Sequence, residues 1–343
     1  MEEEVINDIN FLLSENIYQE SEQWNIFKAK LSDPEYMSTL FDILLFPQSS
    51  HIKKILCISA LLQFKISPPQ EIIPRFFPLL YDPKYQQLIS HYIVGFCDQE
   101  YLCQFVLPSL YEEVQGQEGN DAIVGLILCF YEYVRVCKVR DETVLQILFQ
   151  FLVERSDLPI ESRKKALESI ILQLNLIDVF NDKETLEQDV KNIMTFFIGL
   201  PIDDDNFPLF DYLLYFIKTA IIITEFGISS YEHEILQKID QIFDYLVEKA
   251  PLDPEENIYS TILFYSTDII ETKKFTISFE KIFPLLIIGP KQFEALQSSA
   301  DYFFGVFIGE SDDFNFYSDE IDDDDDDEDE VPDENGVVIL EDD

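Results

Sequence analysis

Asp33-Pro34-Glu35-Tyr36-Met37-Ser38-Thr39-Leu40-Phe41-Asp42-Ile43-Leu44-Leu45 is the stretch that decides how this chain folds. Met37, Leu40, Phe41, Leu44 and Leu45 follow the i, i+3, i+4, i+7, i+8 spacing of one apolar helix face. Ahead of them, Asp33 offers a carboxylate to the orphan N–H groups of a first turn. Pro34 has no N–H to leave unused there. Together they predict a capped amphipathic helix. Both signals recur along the chain. Asp82-Pro83 and Asp253-Pro254 repeat the start. Val144, Leu145, Leu148, Phe149 and Leu152 repeat the stripe, as do Ile235, Leu236, Ile239, Phe243, Leu246 and Val247. Few segments alternate with period two. Only 10 glycines occur in 343 residues, which argues against a β-sandwich or a fold built on glycine loops.

Read in pairs, the helices form eight units that begin near Glu2, Pro34, Pro69, Gln99, Asp141, Thr185, Tyr231 and Thr276. Their spacing of about 30 to 46 residues is close to the HEAT and armadillo period. In such a repeat neither helix buries its stripe alone, so stacked neighbours build one continuous core. The expected fold is all-α, an α-solenoid of about eight HEAT-like helix pairs. After Phe307 the pattern stops. Asp322, Asp323, Asp324, Asp325, Asp326 and Asp327 run together, followed by Glu328, Asp329 and Glu330. Mutual repulsion and the lack of apolar residues predict a disordered acidic tail over 310–343.

The formal charge is −44, and its distribution matters more than its total. Residues 310–343 hold 19 acidic residues and no Lys or Arg; the 48 acidic residues before them, set against 23 basic ones, leave 1–309 at −25. Phosphate binding needs clustered Lys and Arg, so a direct nucleic-acid ligand is disfavoured. A large negative field steers cationic proteins to the surface, so basic partners are favoured. Charge alone leaves a purely solubilising role equally open. Cys57, Cys97, Cys103, Cys129 and Cys137 form no Cys-x-x-Cys pair and sit in apolar helical sequence, which suits core thiols in a reducing compartment. The start Met1-Glu2-Glu3-Glu4 is the opposite of a basic signal peptide. The most apolar run, Asn206 to Ile228, is interrupted by Asp211, Lys218 and Glu225, so it reads as a buried helix rather than a membrane span.

Catalytic signatures are missing from the sequence. There is no Gly-x-x-x-x-Gly-Lys phosphate loop, no Gly-x-Gly-x-x-Gly fingerprint and no Gly-x-Ser-x-Gly elbow. His51, His91 and His233 lack metal-site spacing. Asp203-Asp204-Asp205 lacks the alternation and central glycine of a calcium loop, and reads as an acidic loop between helices. No catalytic residue, cofactor or metal site is expected.

Three stretches resemble the N-terminal part of importin-β-type nuclear transport receptors, the karyopherins, nearest the importin-seven and importin-eight branch. The first runs from Ser21 to Lys65, with Glu22-Gln23-Trp24 and then Ile52 to Ile66 similar to the family's first two repeats. The second runs from Tyr92 to Lys138. There Asp98-Gln99-Glu100 precedes Phe105-Val106-Leu107-Pro108-Ser109-Leu110, and Val124 to Val134 resembles the helix that follows. The third is Ile282-Phe283-Pro284-Leu285-Leu286, with Asp301-Tyr302-Phe303-Phe304 beyond it. All three lie in family order. The chain departs from the family at Gln63-Phe64-Lys65 and at Gly305, and members run considerably longer, so the resemblance implies a shortened or divergent member.

On that resemblance, residues 1–138 are an importin N-terminal-like region that binds a Ran-type small GTPase, and 139–309 hold further HEAT-like repeats. The resemblance also implies nucleoporin Phe-Gly repeats docking in outer-helix grooves, basic cargo of histone or ribosomal type, and residence in the cytoplasm, the nucleus and the nuclear envelope. No membrane partner is expected. The acidic run Asp322 to Glu330 is expected to meet basic partners or to fold back on the body. Val337-Val338-Ile339-Leu340, followed by Glu341-Asp342-Asp343, resembles a SUMO-interacting motif, in which an apolar strand adds to a sheet and its acids meet a basic surface. A HEAT scaffold of the phosphatase-regulatory kind and a chaperone for basic proteins are the other readings these residues allow.

Overall fold

A computed structural model describes residues 2–14, 22–117, 119–176, 183–223, 230–249 and 257–273. Among these residues the secondary structure is helical throughout, with no strand. The order begins α1 (Glu2–Ser14), α2 (Glu22–Lys30), α3 (Pro34–Leu45) and α4 (His51–Gln63), then a 3₁₀ segment Gln70–Phe76 that runs into α5 (Phe77–Leu80). It continues with α6 (Gln86–Phe96), α7 (Gln99–Tyr101), α8 (Leu107–Gln115), α9 (Asn120–Cys137), α10 (Glu142–Glu154) and α11 (Ile160–Leu174). Last come α12 (Lys183–Gly199), α13 (Phe207–Ile223), α14 (Glu232–Lys249) and α15 (Asn257–Lys273).

Local chemistry explains where these helices start and stop. Asp33 caps α3 by accepting from the Glu35 N–H at 2.9 Å, with Pro34 in the first turn, as the sequence predicts. Asp141 caps α10 in the same way, accepting from Thr143 and Val144. Asp82-Pro83 behaves differently. Asp82 accepts from the Lys84 N–H at 3.0 Å and its carbonyl from Tyr85 and Gln86, so the pair makes a turn and α6 begins only at Gln86. The same carboxylate that can cap a helix closes a turn when the next residues do not yet propagate. Asp253-Pro254 lies outside the described residues. At the end of α4, Lys65 adopts φ 53°, while Ile66 N–H donates to Leu61 O and Lys65 N–H to Leu62 O. That is a Schellman closure with lysine in the position glycine usually takes.

Between α7 and α8 the helix widens into a π turn over Leu102–Val106, where Leu107 N–H reaches back to Leu102 O. Pro108 follows, with no N–H to donate and a ring that crowds the preceding turn, so the slack is taken up one step earlier.

The helices pair and then stack. α3 packs on α4, α5 on α6, α8 on α9, α10 on α11, α12 on α13, and α14 on α15. The second members, α4, α6, α9, α11, α13 and α15, pack each on the next. Along the row of first members, α3, α5, α8, α10, α12 and α14, neighbours touch far less, and only α12 and α14 make more than slight contact. One buried cluster runs through the described residues from Val5 to Ile270, filled by Leu40, Ile58, Phe76, Tyr92, Phe130, Leu167, Phe210 and Phe243 among others. α13 realises the buried helix expected from the apolar run: Leu209, Phe210, Leu213, Leu214 and Ile217 are all fully buried. No described helix is long and apolar enough to cross a membrane.

The helix starts found at Glu2, Pro34, Gln99, Glu142, Lys183 and Glu232 fall within two residues of those expected from the pattern. The start near Pro69 opens on 3₁₀ rather than α structure, because Pro74 removes an interior donor. The unit expected at Thr276 lies outside the described residues.

Candidate binding surfaces

The turns that join paired helices are tied to one another by polar side chains. Asn120, at the start of α9, donates to Asp157 O at 3.0 Å and accepts from Arg155 at 2.6 Å. Arg163, near the start of α11, donates to Asn206 Oδ1 at 2.8 Å in the next such turn. Asp203 accepts from the Asn206 N–H and side-chain amide in the turn just before α13. Asp204 accepts from the Tyr245 hydroxyl and pairs with Lys249 at 3.0 Å. The aspartate triplet thus lies in an acidic loop between helices, as its sequence suggests, and Asp204 ties that loop to α14. Lys238 completes the series by donating to Ile198 O at 3.1 Å and to Leu200 O, the carbonyls where α12 ends. A buried ammonium at a helix C-terminus meets the negative end of the peptide dipoles.

A cleft opens in each gap between α8, α10, α12 and α14. The gap between α8 and α10 holds about 210 Å³, and that between α12 and α14 about 440 Å³. The gap between α10 and α12 is the largest, about 870 Å³. Phe149, Leu152, Val153, Phe196, Leu200 and Pro201 give that cleft an apolar wall, and Val153 is 65% exposed. At its end lies Arg163, only 3% exposed, whose Nε has no hydrogen-bond partner. Burial lowers the Arg163 pKa, while Asp203 and Asp205 act in the opposite sense.

The other row presents a series of buried or half-buried carboxylates. On α9, Glu132 is held by Arg135 at 2.6 Å, and His91 Nδ1 lies 3.1 Å away across the contact with α6. On α11, Glu168 takes Lys165 at 2.9 Å and the Tyr131 hydroxyl at 3.1 Å, and the Lys165 ammonium sits 3.9 Å from the centre of the Tyr131 ring. Between α13 and α15, Lys218 pairs with Asp268 and lies 5.4 Å from the Tyr265 ring centre. Carboxylate and cation recur together along this face, and at Glu168 and Asp268 a tyrosine ring lies beside the cation.

Of the stretches that resemble karyopherins, two are described. Trp24 stacks on Phe64 at 4.1 Å, joining α2 to the end of α4. Asp98 caps α7 by accepting from Tyr101 N–H at 2.9 Å, and Gly125 lets α9 approach α5 closely. The third stretch lies outside the described residues, and so do both candidate partner-binding segments, Asp322 to Glu330 and Val337 to Leu340. Arg163 and Lys238 were not singled out by sequence reasoning, although Arg163 shares its helix stripe with Ala166, Leu167 and Ile170 at helical spacing. Among the described residues, no group of three His, Cys, Asp or Glu is placed to hold a metal ion. Comparison with protein-family models, with curated proteins and with solved structures finds no match.

Proposed function

We propose that this chain is a protein-binding HEAT-like solenoid of karyopherin type, which engages basic partners and a Ran-type GTPase and catalyses no reaction. The observation that carries the reading is the way the helices stack. Each pair packs on the next, one row closely and the other with a cleft in every gap from α8 to α14. Two rows of unequal spacing bend a stack, so the close row becomes the inner, partner-wrapping face and the gapped row the outer face. Residues 1–309 carry a net charge of −25, which suits cationic cargo of histone or ribosomal type and steers its encounter.

In this reading the GTPase binds the inner helices of residues 1–138, and its binding releases cargo through a coupling between the two sites. Phenylalanines of nucleoporin Phe-Gly repeats dock in the outer clefts, of which that between α10 and α12 is the roomiest. The acidic run from Asp322 to Glu330 adds a polyanion for basic partners, and Val337 to Leu340 is the segment that would engage SUMO. Such a receptor works in the cytoplasm, the nucleus and the nuclear envelope.

The test is titration of core histones into the full chain over a salt series. Binding that weakens steeply with salt supports the reading, since contacts between exposed charges are screened within about 8 Å at physiological ionic strength. Absence of binding at low salt contradicts it.

A further inference from the structure

On the close row, each carboxylate described above has its own cation: Glu132 has Arg135, Glu168 has Lys165, and Asp268 has Lys218. Asp211 breaks the pattern. It has no hydrogen bond or ion pair among the described residues, yet it is partly buried. Burial raises its carboxyl pKa above the ordinary value; Lys164 acts weakly the other way and is itself engaged with Glu161 at 2.8 Å. A partly buried carboxylate without a hydrogen bond or ion pair is costly to keep charged.

What surrounds Asp211 is a cleft of about 370 Å³ between α11, α13 and α15. Tyr212 and Tyr215 come from α13 and Tyr265 from α15, with Leu172 and Glu168 supplied by α11. Asp211 and Tyr215 are four residues apart, so they share one helix face. Tyr215 is 45% exposed, and its ring lies 5.5 Å from that of Tyr265 at 57°. Tyrosine faces attract cations through the ring quadrupole, and a carboxylate adds a charge at the same point. The neighbouring clusters show the chain using this combination for its own lysines, over Tyr131 and over Tyr265.

We infer that the Asp211 cleft is a seat for one arginine or lysine side chain of a basic protein segment. The partner's cation fills the place that Arg135, Lys165 and Lys218 fill at the other three carboxylates. The tyrosines strip water from its alkyl stem and face its charge, and Asp211 receives its N–H groups. The inference rests on the reading that this chain binds basic proteins, and it names where one cation of such a protein sits.

The experiment uses the full chain and a fluorescent nonapeptide of alternating arginine and glycine, its lysine counterpart and its glutamine counterpart. The arginine or lysine peptide binds and the glutamine peptide does not. D211N weakens binding about fivefold or more, and Y215A does the same, while Y265F, which keeps the ring, leaves it within about twofold. E154Q removes the same charge from the rim of the α10–α12 cleft and also stays within about twofold. Equal losses in D211N and E154Q overturn the site and leave only a general acidic field. A wild-type chain that binds neither cationic peptide overturns the site together with the basic-partner reading. Thermal midpoints supply a second readout: D211N is as stable as wild type or more so, because it removes an unpaired carboxylate. A D211N chain less stable than wild type overturns the claim that Asp211 has no partner within the fold.

Discussion

Replacing Gly125 by alanine tests the close approach of α9 to the end of α5. A Cβ at position 125 of α9 falls 2.3 Å from Leu80 O, 3.0 Å from Leu80 C and 3.1 Å from Leu80 Cβ. The clash is with backbone at the end of α5, and Leu80 is fully buried, so no flexible side chain can turn aside. The two helices must separate by on the order of 1 Å, and overpacking of this kind costs about 1–3 kcal/mol. Opposing it, alanine improves helix propensity over glycine by about 1 kcal/mol. A backbone clash at 2.3 Å belongs at the upper end of that range, so the clash wins and G125A is destabilised by up to about 2 kcal/mol. Gly95, near the end of α6, is the matched control. A Cβ there meets nothing within 4 Å, so G95A gains up to about 1 kcal/mol from propensity alone. Urea unfolding followed by far-UV circular dichroism reports both midpoints, and amide exchange over 77–80 and 120–137 locates the loosened contact. A G125A midpoint at or above wild type would refute the reasoning, because α9 would then not lie against the α5 backbone.

D33A removes the α3 cap and costs about 1 kcal/mol, again read from the urea midpoint. Burial pushes the Cys57 thiol up to about 12 and raises that of Cys129, so neither reacts with a thiol reagent at pH 8 until the chain is unfolded; fast labelling of either in the native state contradicts their placement. The Asp157 carboxyl is depressed to about 2, chiefly by its hydrogen bond from Arg155. A depressed carboxylate contributes stability above its unfolded pKa and loses it as pH falls through the folded one. The stability difference between wild type and D157N is therefore present at pH 7 and shrinks from about pH 4 downward through about pH 2. A difference that stays constant over that range contradicts the pairing.

Much of the fold was legible because a helix announces itself by spacing. Met37, Leu40, Phe41 and Leu44 occupy one face of α3, with Leu40 and Leu44 fully buried. Ile235, Ile239, Phe243 and Leu246 do the same on α14. Helix starts were legible where a capping carboxylate precedes a propagating turn, as at Asp33 and Asp141. At Asp82 the same dipeptide closes a turn, and only the tertiary position of α6 decides between the two outcomes. The π turn before Pro108 could be read from that proline in principle, since a missing donor must be absorbed somewhere. The Asp211 cleft was not legible. Glu168, Asp211, Tyr215 and Tyr265 come from three helices, and their meeting depends on how α11, α13 and α15 stack. Asp211 was noticed only as an interruption of an apolar run. That interruption was a correct signal whose meaning required the neighbouring helices.

Binding of the purified full chain to a Ran-type GTPase, loaded in turn with GTP and with GDP, tests the functional account most directly. The account predicts tight binding of the GTP form, much weaker binding of the GDP form, and release of a bound basic protein when the GTP form is added. Equal affinity for the two forms, or none for either, contradicts the transport reading and leaves an acidic helical scaffold with other partners.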